Sequence, residues 1–365
     1  MPQLSAIIQA LESFAPLELQ ESYDNCGLIV GSVDQSVDSA LVCLDCTEAV
    51  LEEAIQSNCQ LIIAHHPPVF SGLKKITGKN ATERILIQAI RHQIAIYAMH
   101  TNLDNVRNGV NAKIAEKLGL TNLQILEPLS GKLRKIYTYV PATFLAAVQS
   151  AMFDAGGGAI GQYSECSFST KGIGTFKPSH EATPFSGQAG IRSEEEEVKI
   201  EMIFPAYIEN DILKALKSAH PYEEVAYEVI NLQNSCQDFG AGMWGQLPEP
   251  MEEIEFMAWI KQRLNTSCIR HTQLLGRKVE KVAFCGGSGS FLLPQAIRIK
   301  ADFFITGDFK YHQFFDAEGK IVIADVGHFE SEQYTPEIFI DILSKKFTKF
   351  AIHLSRVNTN PVHYF

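Results

Sequence analysis

The stretch Leu61-Ile62-Ile63-Ala64-His65-His66-Pro67-Pro68 decides how the rest of the chain is read. An uninterrupted apolar run stops at two adjacent histidines and two prolines. A short run of this kind reads as a buried strand, here 60–64, that delivers its imidazoles to a loop at its carboxyl end. Two later stretches share the design. Ala95-Ile96-Tyr97-Ala98-Met99 leads into His100 and then Asp104, and Ile321-Val322-Ile323-Ala324-Asp325-Val326 leads into Gly327-His328 and then Glu332.

Working outward, an amphipathic helix over 2–14 precedes a turn, Glu21–Gly31, that opens into a strand. Strands at 40–45, 60–64 and 94–99 then alternate with helices at 47–57, 81–92 and 109–118. This alternation predicts an α/β fold, a mainly parallel sheet covered by helices. Ligands of such sheets gather beyond the carboxyl ends of the strands, where the histidines fall. The same style returns after Gly240-Ala241-Gly242-Met243-Trp244-Gly245, with a helix at 252–264, strands at 280–285, 302–306 and 321–326, and a helix at 330–346. In between, a strand–Pro–helix–turn–strand pattern occurs twice, from Lys135 and again from Val198. Two such units in tandem predict an inserted ferredoxin-like α+β domain over about 132–233, between lobes at 1–128 and 238–365. Segment 171–193, rich in Gly, Ser, Pro and Thr, reads as a long loop, and Glu194–Glu197 as a solvated lead-in to the next strand.

The 365 residues are 46% hydrophobic and 20% charged, enough chain for two or three domains with real cores. No apolar run reaches the roughly 18 residues of a membrane span. The N-terminus lacks the basic start and cleavage site of a secretory signal, so a cytoplasmic protein is expected. A net charge of −11 argues against non-specific nucleic-acid binding. The eight cysteines are scattered and read as free, packed thiols. Cys43 and Cys46 form one C-x-x-C without a second to complete a zinc ribbon.

Imidazole and carboxylate ligands suit divalent zinc, iron, manganese or cobalt. Neighbours on extended backbone point to opposite sides, so His65 and His66 would serve two ions rather than chelate one. His328 and Glu332 share a face if a helix begins near 328. With Asp104, these five groups suit two divalent ions joined by a carboxylate and a water that becomes a nucleophile near neutral pH. His100 and His312 are candidate catalytic proton carriers. Asp308, at the end of strand 302–306, is a further pocket candidate. The run Gly286-Gly287-Ser288-Gly289-Ser290 either forms a tight turn or offers backbone N–H groups to phosphate. The reading is a metal-dependent hydrolase of a nucleotide-like or phosphorylated small molecule. The alternative is a non-enzymatic metal-binding scaffold with the insert as a gate or effector module.

The motifs Asp24-Asn25-x-Gly27-Leu28, His65-His66-Pro67, His100-Thr101-x-Leu103-Asp104, Thr306-Gly307-Asp308 and Gly327-His328-x-x-x-Glu332 together resemble the Nif-three-like family. Its members are often labelled GTP cyclohydrolase I type 2 homologues. The resemblance covers about 1–128 and 238–365, and the insert resembles the PII-like or CutA-like module of longer members. It implies a dinuclear site on His65, His66, Asp104, His328 and Glu332, with Glu332 bridging. It also implies two related α/β lobes and a toroidal homohexamer whose metal sites face an internal cavity.

Overall fold

The structure is a computed structural model and describes residues 2–365. The chain divides into two compact units. One comprises residues up to Glu127 together with Asp238–Phe365, and the other is Pro128–Gln237.

The first unit is built on two sheets. In the first, Gly27–Val30, Ala95–Ala98, Leu61–His66, Ser39–Asp45 and Ala351–Leu354 lie side by side in that order. The last four are parallel, and Gly27–Val30 is an antiparallel edge. The second sheet runs Arg270–His271, Val322–Asp325, Phe303–Gly307, Lys278–Ser288, Ser235–Glu252 and Thr121–Ser130, and its Val322–Asp325, Phe303–Gly307 and Lys278–Ser288 strands are parallel. The expected lobes therefore exchange their ends. Thr121–Ser130 joins the second sheet, and the chain's last strand returns to pair with Ser39–Val42 of the first. Each visitor covers a sheet edge whose backbone groups would otherwise be open to pairing with other chains.

Successive side chains of a strand point to opposite faces. Leu61 and Ile63 enter one apolar cluster while Ile62 and Ala64 enter another, and all four are fully buried. A strand covered on both faces has no polar side to show, which is why its sequence is a continuous apolar run. The first cluster lies between the two sheets. Ile63 and Tyr97 from one sheet and Phe284 and Phe303 from the other meet helices Leu4–Phe14, Val110–Leu118, Glu253–Arg263 and Thr335–Lys346 there. Helices Glu48–Gln56 and Ala81–Arg91 cover the far face of the first sheet, and Leu293–Arg298 with the 3₁₀ turn Tyr311–Ala317 covers that of the second. The sheets thus share one core.

All eight cysteines are free. Cys43, Cys46 and Cys59 pack into the outer cluster of the first sheet. Burial pushes the Cys46 thiol up to about 12 and Cys43 well above its ordinary value, so the C-x-x-C is not a reactive thiol pair. Among the described residues no helix is long and apolar enough to cross a membrane.

The second unit is an antiparallel sheet in the order Ser167–Phe176, Ser193–Pro205, Leu133–Pro141, Tyr227–Leu232. Helices Leu145–Asp154 and Glu209–Ala219 pack on it through Val148, Met152, Ile212 and Leu216 against Ile136, Ile200 and Phe204. The loop expected over 171–193 is shorter. Lys171–Phe176 is strand, and Glu194–Glu197 pair with it, Thr175 opposite Glu194 and Gly172 opposite Glu197. One of the glycines that gave this stretch the look of a loop stands close to the neighbouring strand, while Gly172 has open space around it. A Cβ on Gly174 would collide with the Glu197 carboxylate.

Candidate metal centre

Strand Leu61–His66 carries His65 and His66 as its last two residues, one step earlier than the loop in which they were expected. The strand extends because Asp45 of the neighbouring strand pairs with His66 in parallel register. The helical turn Thr101–Asp104 brings in Asp104, and the turn His328–Glu332 brings in His328 and Glu332 at helical i, i+4 spacing. These segments converge on the Glu332 carboxylate, which is only 3% exposed. Its Oε2 lies 3.1 Å from Nε2 of both His66 and His328, and those two nitrogens are 3.4 Å apart. Its Oε1 faces Nε2 of His65 at 3.7 Å, and that nitrogen is 3.5 Å from Asp104 Oδ1. Three groups able to hold a metal ion result, His66–His328–Glu332 and His65–Asp104–Glu332 around this carboxylate, and His65–His66–His100 beside it.

The donor set fits a divalent cation on two grounds. First, His65 Nε2 and Asp104 Oδ1 are buried without a hydrogen-bond partner, which is costly unless something else satisfies them. Second, the other nitrogen of each imidazole is anchored. Nδ1 of His65 donates to the Met99 carbonyl, that of His66 to Asp45 and that of His328 to Asp308, each at 2.7 Å. Anchoring at Nδ1 leaves Nε2 as the ligating lone pair and fixes the plane of the ring, the usual arrangement of metal-binding histidines. Replacing Asp45 by Asn removes the anionic acceptor and lets the ring turn. Metal affinity should then fall about 10–100-fold in a chelator-competition titration, with the fold unchanged by circular dichroism.

The chain as a whole matches a family model described as Duf34/NIF3 (NGG1p interacting factor 3), over residues 2–361. The chain belongs to the NIF3 family. A Bacillus subtilis (strain 168) protein named GTP cyclohydrolase 1 type 2 homolog is 36% identical over 365 residues, which covers 97% of this chain and 96% of the relative. A Halalkalibacterium halodurans protein of the same name is 39% identical over 325 residues, covering 88% and 87%. The crystal structure of a Bacillus cereus protein described as related to NIF3 matches with a TM-score of 0.88 at 38% identity, over 100% of this chain and 99% of that one.

In this NIF3-family chain the ligand cluster is strongly polarised. Burial would raise Glu332, but hydrogen bonds from His328 and His66 outweigh it and hold the carboxyl well below its usual range. Burial would lower the two imidazoles, yet hydrogen bonds to Asp45 and Glu332 hold His66 at about 10, and Glu332 and Asp308 hold His328 at about 9. Burial, with the neighbouring Glu332 charge, pushes Asp104 up to about 8. All three shifts favour the protonated forms, and a cation must displace those protons to bind. Metal loading at pH 7 should release about two to three protons, and affinity should rise as pH increases from 6 towards 9. Calorimetry in buffers of different ionisation enthalpy counts those protons, and a pH-independent affinity would contradict the assignment.

The glycine run is not a phosphate loop. The N–H groups of Gly286, Gly287 and Gly289 donate to Asn111, Ser331 and Thr306 within the protein. Its backbone instead makes room for Glu332. Gly287 has φ +59°, and a Cβ there would stand 2.5 Å from Glu332 Oε1.

His100 borders the centre, its ring 5.2 Å from those of His65 and His66. Its Nδ1 donates to Asp24 at 2.9 Å, and Asp24 also accepts from the Thr101 backbone N–H and hydroxyl. Burial would raise Asp24, but these bonds hold it well below the carboxylate range. His312 is not in the site. It is exposed on the turn Tyr311–Ala317 and packs on Tyr311 and Phe315. In a 3₁₀ turn residues i and i+3 align. Phe314 and Ala317 face the core, which leaves His312 and Phe315 on the outside. Asp308, expected at the pocket, serves as the anchor of His328.

Two anchoring carboxylates, Asp45 and Asp24, are not expected from the sequence in that role. Asp45 ends a buried strand just as the histidines do, but it lies inside the C-x-x-C, whose thiols draw notice first. Asp24 does order its turn, accepting from the Asn25 N–H, and it also holds His100.

Proposed function

We propose that His65, His66, Asp104, His328 and Glu332 hold two divalent ions, with Glu332 bridging them, and that the protein is a metal-dependent hydrolase of a nucleotide-like or phosphorylated small molecule. The observation that carries this reading is the division of one carboxylate between two ligand sets: Oε1 toward His65 and Asp104, Oε2 toward His66 and His328. When bound, such an ion pair polarises a substrate oxygen and lowers the pKa of coordinated water. The chain supplies the rest. Asp45, Asp308 and the Met99 carbonyl keep the three imidazoles aimed. His100, oriented by Asp24 at the rim of the ligand cluster, moves a proton between the reacting groups and solvent. A cavity of about 650 Å³ lined by His66, His100 and His328 is large enough for a nucleotide-sized molecule. The name of the relatives makes GTP a natural member of the substrate panel. The test is turnover of GTP and a set of phosphoesters by zinc-, manganese-, iron- and cobalt-loaded protein beside His66→Ala. A substrate turned over only by the unaltered chain supports the reading, and equal turnover in both removes it.

A second reading, a regulatory scaffold that assembles as a homohexamer in the cytoplasm, is favoured by one feature of the 128–237 unit. We read that unit as a PII-like or CutA-like module, from its strand order and its two helices. It contains a cavity of about 340 Å³ with walls of Phe176, Phe185 and Tyr222, where an effector could sit. Light scattering on the full chain decides the assembly.

A further inference from the structure

We propose that the cavity beside the metal centre takes its substrate by a phosphate group and that Arg270 reads that group. This rests on the hydrolase reading above and adds the residue that would set its specificity.

Arg270 sits on the edge strand Arg270–His271, directly across from Asp325 in antiparallel register. Asp325 ends the strand that leads to His328. Its Oδ1 accepts from the Gly327 N–H at 3.0 Å, its Oδ2 accepts from the Phe309 N–H at 3.0 Å, and Oδ2 also pairs with Arg270 Nη2. One buried carboxylate thus anchors both the guanidinium and the glycine before a metal-ligand candidate. Nη2 donates again to the Phe309 carbonyl at 3.0 Å. Those contacts use one nitrogen. Among the described residues Nε and Nη1 of Arg270 make no hydrogen bond, and the side chain remains 57% exposed on the wall of the cavity.

Charge in the cavity points the same way. Arg270 is the one lysine or arginine of its lining among the described residues. The carboxylates there are already engaged: Asp45 by His66, Asp308 by His328, and Glu330 by the Asn360 amide at 3.0 Å. Asp325 accepts from two backbone donors as well as from Arg270 Nη2, so the guanidinium is held at one nitrogen. Both parallel edges of the guanidinium include Nη2 and are taken, and its face lies over the Phe314 ring. The Nε and Nη1 N–H groups stay open and carry the guanidinium's positive charge beside the ligand cluster, where each can donate a single charge-assisted bond to a phosphate oxygen. A lysine would keep the charge and lose the hold on Asp325 and the Phe309 carbonyl that fixes its direction.

The experiment is calorimetric binding of guanosine 5′-monophosphate and of guanosine to metal-loaded protein, to Arg270→Gln and to Arg270→Lys, with metal content measured on every sample. Expected is a loss of about tenfold or more in monophosphate affinity for Arg270→Gln, a partial loss for Arg270→Lys, and unchanged guanosine affinity in both. Equal monophosphate affinity in wild type and Arg270→Gln overturns the proposal, as does absence of monophosphate binding to the loaded wild type. Metal content reports on the centre separately, and the substrate panel reports on hydrolysis. Failure of either reading therefore leaves the Arg270 result interpretable by itself.

Discussion

Glu332→Gln should leave a folded protein that no longer retains metal. The amide has nearly the volume of the carboxylate and can still hydrogen-bond, so packing around this buried position survives. What it loses is the charge that both ligand sets share. Removing an anchor of a ligand already costs about 10–100-fold in affinity, so loss of the shared ligand itself should cost at least about 100-fold at each ion. His66 and His328 also lose the carboxylate that raises them, so their pKa values should fall towards the ordinary imidazole range. Elemental analysis after dialysis should find the variant empty where wild type is loaded. Added metal should raise the melting temperature of wild type and leave that of the variant unchanged, because a ligand stabilises only the state that binds it. Retention of the wild-type metal content by Glu332→Gln would mean that the carboxylate is a neighbour of the site and not its bridge.

The second large effect is expected at a residue with no ligand atom. Gly287 has φ +59°, a left-handed conformation that costs any side chain, and its missing Cβ is the space occupied by Glu332. An added methyl would meet Oε1 at 2.5 Å and His328 Cε1 at 3.2 Å. Gly287→Ala must either push Glu332 off its ligands or distort the end of strand Lys278–Ser288. Backbone strain and overpacking together should cost about 2–5 kcal/mol in denaturant unfolding of the metal-free protein, with metal affinity lost as well. Gly319→Ala is a matched control, since its φ is +66° with open space around the position. It should show the backbone cost alone and keep its metal. Equal behaviour of the two variants would show that Gly287 is only a turn residue.

Much of the site is legible in the chain because it stands where apolar runs stop. Parallel strands buried on both faces write themselves as Leu61–Ala64, Ala95–Met99 and Ile321–Ala324, and each gives way to a polar rim. The i, i+4 pair His328 and Glu332 carries its own geometry. Three features are not legible, for different reasons. Pairing of the last strand with Ser39–Val42 is a contact between distant segments, and Ala351–Leu354 looks alike whichever edge it covers. His312 has the right residue type close to Asp308, but the phase of a 3₁₀ turn, which decides whether it faces in or out, depends on where Phe314 packs. The glycine run has the composition of a phosphate loop. Its N–H groups are used internally and its missing side chains hold space for Glu332, and neither follows from composition.

The most direct test of the central claim is anomalous diffraction from crystals of metal-loaded protein, collected at the absorption edge of the bound element. Two peaks per chain are expected, one within reach of His65, Asp104 and Glu332 Oε1, the other within reach of His66, His328 and Glu332 Oε2. A single peak, or peaks away from Glu332, would contradict the two-ion centre.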